Sequence, residues 1–99
     1  MLDLATAARD QFESCVGQIF QLAATPAPIA LTLAEARALG ISGPGASRQP
    51  FALTFRGIPA LRLPQATYRL EHATLGAMEI FLVQVATDAT ASHFEAIFN

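Results

Sequence analysis

The chain has no lysine, no tryptophan and a single cysteine, and only 14% of its 99 residues are charged. Each shortage excludes something. Without lysine there is no Gly-Lys-Ser/Thr phosphate-cradling loop. Cys15 alone forms no internal disulfide, and a lone thiol carries no sign of an oxidising compartment. It reads as a small buried apolar residue, because a nucleophilic thiol needs a base and neither histidine lies near it in sequence. A zinc deaminase pairs His-x-Glu with Cys-x-x-Cys; His93-Phe94-Glu95 supplies the first half and no second cysteine supplies the other. Gly40-Ile41-Ser42-Gly43 lacks the fifth residue of a serine hydrolase elbow. The opening Met1-Leu2-Asp3-Leu4 lacks the basic start of a secretory signal. The stretch 14–34 carries no charge and is long enough to span a bilayer, but Gln18, Gln21, Pro26 and Pro28 interrupt it. A soluble, cytoplasmic protein without a membrane partner is therefore expected.

Apolar residues, by contrast, are plentiful at 53%. A chain this short holds one domain, here 1–99, and buries ~65% of the surface its unfolded form exposes, which suffices when apolar residues abound. The charged fraction lies far below the roughly 25% usual for soluble domains, which implies a further covered surface such as a subunit contact.

Leu4, Ala8, Phe12, Cys15 and Val16 share a face at helical spacing, with Arg9, Asp10 and Glu13 pointing away. This predicts a helix over 4–16, capped by Asp3 and stopped at Gly17. The period then changes to two. Ile19, Phe20 and Leu22 open a strand that Thr25-Pro26-Ala27-Pro28 ends, since proline donates no ladder hydrogen bond. Ile29, Leu31 and Leu33 begin a second strand, which residues 35–39 continue or bend, although Ala34, Ala36 and Ala38 also suit a helical turn. The run 40–50 holds three Gly and two Pro and is a loop. Phe51, Leu53 and Phe55 alternate in a third strand, followed by a connector over 57–64. Strands over 67–72 and 77–86 form a hairpin whose loop ends in Gly76, and closing it symmetrically sets Arg69 opposite Glu79. Within the second of these, 80–85 is apolar on both faces, which predicts a strand covered on both sides, the N-terminal helix being one candidate lid. A last strand covers 94–98. One helix and five or six short antiparallel strands are expected to curl into a small mainly β barrel over about 18–99, an open sheet being the alternative.

Charge is segregated along the chain. Residues 36–70 hold five Arg and no acid, while residues 1–35 sum to -3 and 71–99 to -4. One consequence is an anion- or RNA-binding face centred on Arg48, Arg56 and Arg62, since guanidinium forks suit phosphates. The other is that basic strands lie against acidic neighbours, which net acidity and the scarcity of aromatic residues free to stack on bases favour. His72 and His93 lack ligand spacing and read as solvent-facing strand residues. No catalytic constellation, metal site or cofactor site emerges, and an enzyme is not expected.

Three stretches, 12–33 (FESCVGQIFQL with PIALTL), 50–57 (PFALTFRG) and 63–85 (LPQATYRLEHATLGAMEIFLVQV), with the ending Phe94-Glu95-Ala96-Ile97-Phe98-Asn99, together resemble a small bacterial domain family of unknown function. The order of helix and strands also looks like a divergent Sm-like or SH3-like barrel. Sm proteins bind uridine-rich RNA as rings, through an Asn-bearing loop and a late Arg-Gly or Lys-Gly dipeptide. Arg56-Gly57 has the dipeptide but falls after the third strand, and no Asn precedes position 99. The resemblance thus implies a fold and transfers no catalytic residue. The resulting expectation is a non-enzymatic binding or assembly module that self-associates into a homo-oligomer, with Sm-like RNA binding through the Arg face as the alternative.

Overall fold

The computed structural model describes residues 7–39 and 50–98. Over these residues the elements are α1 (Arg9–Glu13), β1 (Ile19–Leu22), β2 (Ile29–Ala38), β3 (Phe51–Gly57), β4 (Ala66–His72), β5 (Gly76–Thr87) and β6 (Ser92–Phe98). The six strands close into an antiparallel barrel in the order β1-β2-β3-β6-β5-β4. The alternation that predicts each strand also decides its inside. Phe20 and Leu22, Leu31 and Leu33, Phe51, Leu53 and Phe55, Leu70, Met78, Ile80 and Leu82, and Phe94, Ala96 and Phe98 all point inward and are buried. Closure gives each strand a neighbour on both sides, which answers the edge problem in a chain too short for a second sheet.

The helix is shorter than the expected 4–16, whose first residues and Asp3 cap lie outside the described residues. Ala8 is extended, at φ -118° and ψ 158°, and the Gln11 side-chain oxygen accepts from its N–H at 2.8 Å, so the helix starts only at Arg9. Beyond Glu13 the hydrogen bonds tighten to three-residue steps, from Cys15 N–H to the Phe12 carbonyl and from Val16 N–H to that of Glu13. Periodicity cannot reveal this end, because Phe12 and Cys15 face inward in either geometry. Gly17 then takes the left-handed conformation, φ 90°, and its N–H donates to the Leu33 carbonyl at 2.7 Å, sewing the turn onto β2.

The helix does not lie over β5, as the two-faced apolar run suggested. It plugs the barrel instead. Phe12 is fully buried against Phe51 and Phe98, with ring centroids 5.9 and 5.8 Å away, and those two rings stack at 4.7 Å. Removing a ring so enclosed costs about 3–5 kcal/mol.

Two irregularities let six short strands make a ring. In β2 the register shifts between Leu33 and Glu35, so that Ala34 is the extra residue. The first half of the strand pairs with β1, and the second half pairs with β3 alone. This is the bend foreseen at 35–39, resolved as a bulge in a continuing strand. In β5 the shift falls between Gln84 and Ala86. The β4–β5 hairpin sets Arg69 opposite Glu79, as expected, and Gly76 at its turn has φ 83°.

Candidate functional site

The arginines of the proposed anion face do not converge on one pocket. Arg48 lies outside the described residues. Arg56 is an exposed, outward-facing residue of β3, opposite Thr32 on β2 and His93 on β6. It borders a hollow of about 330 Å³ with Thr32, Ile58, Pro59, Thr90 and Ala91. Arg62, in the connector after β3, borders a second hollow of about 330 Å³ over Gln84 to Thr87 of β5. The two hollows share no lining residue. Neither arginine forms an ion pair among the described residues, whereas Arg9 meets Glu13 at 2.7 Å and Arg37 meets Glu95 at 3.6 Å and Glu35 at 3.7 Å. Basic strands therefore do lie against acidic ones at Arg37, and at the Arg69–Glu79 register position.

The connector that carries Arg62 is held down by one side chain. The Gln84 amide donates to the Leu61 carbonyl at 2.7 Å and to the Thr87 hydroxyl, and its oxygen accepts from Leu63 N–H at 2.9 Å. A glutamine satisfied on both atoms at the bulge of β5 is thus what fixes the loop over that end of the barrel. Beside it, the turn between β5 and β6 is organised by Asp88. Its carboxylate accepts from the Thr90 hydroxyl at 2.6 Å and from the N–H groups of Thr90 and Ala91 at 2.8 and 3.0 Å. These bonds, that from the Thr90 hydroxyl first, stabilise the charged form and lower its pKa to about 2. His93 Nε2 lies 3.6 Å from the same carboxylate.

His72 corrects the expectation of solvent-facing histidines, because it is only 7% exposed. Its Nδ1 accepts from the N–H groups of Thr74 and Leu75, each at 3.1 Å. That fixes the proton on Nε2, which donates to Gln18 Oε1 at 2.6 Å. The ring lies 4.6 Å from Phe20. Both nitrogens are committed to the hairpin loop and the entry to β1, so the side chain acts as a structural cross-link. Cys15 is buried, and its thiol points to the Gln11 carbonyl at 3.5 Å, in keeping with a core role. Among the described residues no group of three or more His, Cys, Asp or Glu is gathered.

The feature that the sequence placed wrongly is the outer face of β5. Inward-pointing Met78, Ile80 and Leu82 leave Glu79, Phe81, Val83 and Val85 on the outside. Phe81 and Val85 are 52% and 53% exposed. On β6, His93, Glu95 and Ile97 point outward, and Ile97 is 51% exposed. Val83 faces Glu95 across the ladder, which ends there, and Phe81 and Ile97 are the next outward residues beyond its end, one on each strand. The signal was present in the sequence as an apolar run on both faces; what it could not show is that the helix goes elsewhere.

A mainly β chain whose six strands close into a small barrel, with a short helix plugging it and an apolar outer face on two adjacent strands, is the class of protein these observations define. Residues 7–98 match the model of the family described as Domain of unknown function (DUF6916), and the chain belongs to that family. No curated protein and no solved structure matches it. Among the described residues no helix is long and apolar enough to cross a membrane.

Proposed function

We propose that the chain is a non-enzymatic assembly module that associates with copies of itself through the outer face of β5 and β6. The observation that carries this reading is the half-exposed group Phe81, Val85 and Ile97. A surface residue of this size is unremarkable when alone, but three half-exposed ones on adjacent strands, with the partly covered Val83 among them, form an apolar face that a partner can cover. Burying it on both copies removes apolar area from water at roughly 25 cal/mol per Å², a gain that works against the cost of immobilising two copies. The low charge of the chain points the same way. The engagement of both nitrogens of His72 supports a structural rather than a catalytic use of that side chain. Light scattering on a size-exclusion column over a concentration series tests the reading. The wild-type mass rises with concentration while Phe81→Asp stays monomeric; a wild-type protein that remains monomeric at millimolar concentration refutes it.

A second reading, Sm-like binding of RNA or another phosphate-bearing ligand, is favoured by Arg56 and Arg62, which form no ion pair among the described residues. Here binding to uridine-rich RNA falls with added salt and weakens in Arg56→Ala. Absence of binding at low salt removes this alternative.

A further inference from the structure

We propose that the hollow beside Arg56 is a binding site for a small organic carboxylate, one negative head on an apolar body of about six carbons. The strand register sets its chemistry. Thr32 of β2 and Arg56 of β3 are partners on the outside of the barrel, and Ala30 is the previous outward residue of β2. With Ile58, Pro59 and Ala91 they give the hollow one cation among mostly apolar neighbours. Arg56 forms no ion pair among the described residues. The carboxylates of the surrounding elements are engaged elsewhere. Asp88 accepts three hydrogen bonds from its own turn and lies 3.6 Å from His93, and Arg37 lies 3.7 Å from Glu35 and 3.6 Å from Glu95. A guanidinium left without a carboxylate, bordering an apolar hollow, is complementary to a ligand that joins one anion to hydrocarbon.

Both walls are held in place before any ligand arrives. On one side, the Ile58 carbonyl accepts from the buried Ser92 hydroxyl at 2.8 Å, and Gly57 is packed too closely against Leu31, Leu61 and Ser92 for the chain to shift. On the other, Asp88 ties down the N–H groups of Thr90 and Ala91, and its own N–H donates to the Ala91 carbonyl at 2.9 Å. A site fixed in this way loses little to ordering on binding. Size and charge select the occupant. At about 330 Å³ the hollow is at the small end of ligand pockets. One guanidinium balances the single charge of a carboxylate and meets it with a bidentate fork, whereas a phosphate monoester carries about -1.5 to -2. A nucleic acid needs several cations in a row, and Arg62 borders a separate hollow.

Amide shifts of nitrogen-15-labelled protein, followed at neutral pH while hexanoate, hexanol, acetate or inorganic phosphate is added, test the assignment. Hexanoate is expected to move the signals of Thr32, Arg56, Ile58 and Ala91 along one saturating curve. A millimolar dissociation constant is the strength open to about eight non-hydrogen atoms. Acetate lacks the body and hexanol the head, and each binds at least about fivefold more weakly. Arg56→Gln, its fold checked by the same spectrum, weakens hexanoate about fivefold and leaves hexanol unchanged. Ile58→Ser weakens hexanoate and leaves acetate unchanged. Shifts that never saturate, that gather at Phe81, Val85 and Ile97 or around Arg62, or that persist undiminished in Arg56→Gln overturn the site. Phosphate binding as tightly as hexanoate overturns the carboxylate as its ligand. The hollow and the β5–β6 patch have no residue in common, so these outcomes leave the self-association reading where light scattering puts it.

Discussion

Replacing Gly57 with alanine offers a sharp test of the packing at the end of β3. In a strand, exchanging glycine for alanine ordinarily stabilises by about 0.5–1 kcal/mol, since glycine has the more disordered unfolded state. Gly57 carries no positive φ that would reverse this. Its surroundings do. A Cβ built there lies 2.9 Å from the Ser92 hydroxyl, 2.9 Å from a Leu61 methyl and 3.0 Å from a Leu31 methyl, where unstrained contacts fall at about 3.5–4.0 Å. Leu61 is only partly buried and can swing aside. Leu31 and Ser92 are fully buried, and the Ser92 hydroxyl donates to the Ile58 carbonyl at 2.8 Å. Relieving the clash either shifts the β3–β6 ladder or turns the hydroxyl away from its acceptor. Overpacking costs about 1–3 kcal/mol and the lost hydrogen bond about 1 more, so after the unfolded-state gain a net destabilisation of about 2 kcal/mol is expected. For a domain of this size that lowers the melting temperature by about 10 °C. The chain has no tryptophan, so urea denaturation is followed by far-ultraviolet circular dichroism, with the midpoint shifting and the m-value unchanged. Ser92→Ala in the same background removes one of the clashing atoms, and the double-mutant cycle gives a favourable coupling of at least about 0.5 kcal/mol. A Gly57→Ala protein as stable as wild type, or a strictly additive cycle, refutes the packing argument.

Gln84→Ala releases the connector without touching the core: about 2 kcal/mol of stability is lost with the half-buried partners of the amide, and trypsin cuts after Arg62 faster than in the wild type under native conditions. Ala60 is held at φ 67° in the same connector, a conformation that costs a residue with a Cβ about 1–2 kcal/mol, so Ala60→Gly stabilises by about 0.5 kcal/mol once its own unfolded-state penalty is deducted, read as a higher urea midpoint. Asp88, lowered to about 2, contributes stability that is present above its unfolded value of 3.8 and is lost as the pH falls through the folded value. A carbon-13 titration of its carboxyl group accordingly shows a midpoint near 2, moving toward 3.8 in Thr90→Ala.

How far the fold is legible in the sequence depends on what each element needs. Strands with one wet face are read almost directly, because alternation, proline and glycine act within a few residues: β1 stops before Pro26, and Gly76 alone fixes the register that sets Arg69 against Glu79. The helix is harder. Its inward residues, Phe12 and Cys15, obey the expected spacing, but its start depends on whether Ala8 is extended, and only Gln11, whose side-chain oxygen accepts from the Ala8 N–H, marks it. The outer face of β5 was misread because an apolar run is ordinarily covered on both sides, whereas Phe81 and Val85 here are half exposed. His72 was misread because its burial depends on Gln18, a partner far away in the chain. Arg56 and Arg62, six residues apart, come to border different hollows because the tight packing at Gly57 and the positive φ at Ala60 route the connector between them.

The order of the strands around the ring has a consequence for how the molecule is made. The strand inserted between β3 and β5 is β6, the last of the six to leave the ribosome. Until it arrives, β3 and β5 have no common neighbour, and Phe51 and Phe12 await the ring of Phe98. The nascent chain is therefore an unsealed half-cylinder with its greasy lining turned to water or to a chaperone, and it acquires a native interior only through contacts that join α1 and β3 to β6. Such long-range closure places folding on the slower, millisecond-to-second scale of β-rich domains, and losing the final strand removes the seal of the whole vessel rather than one stave of it.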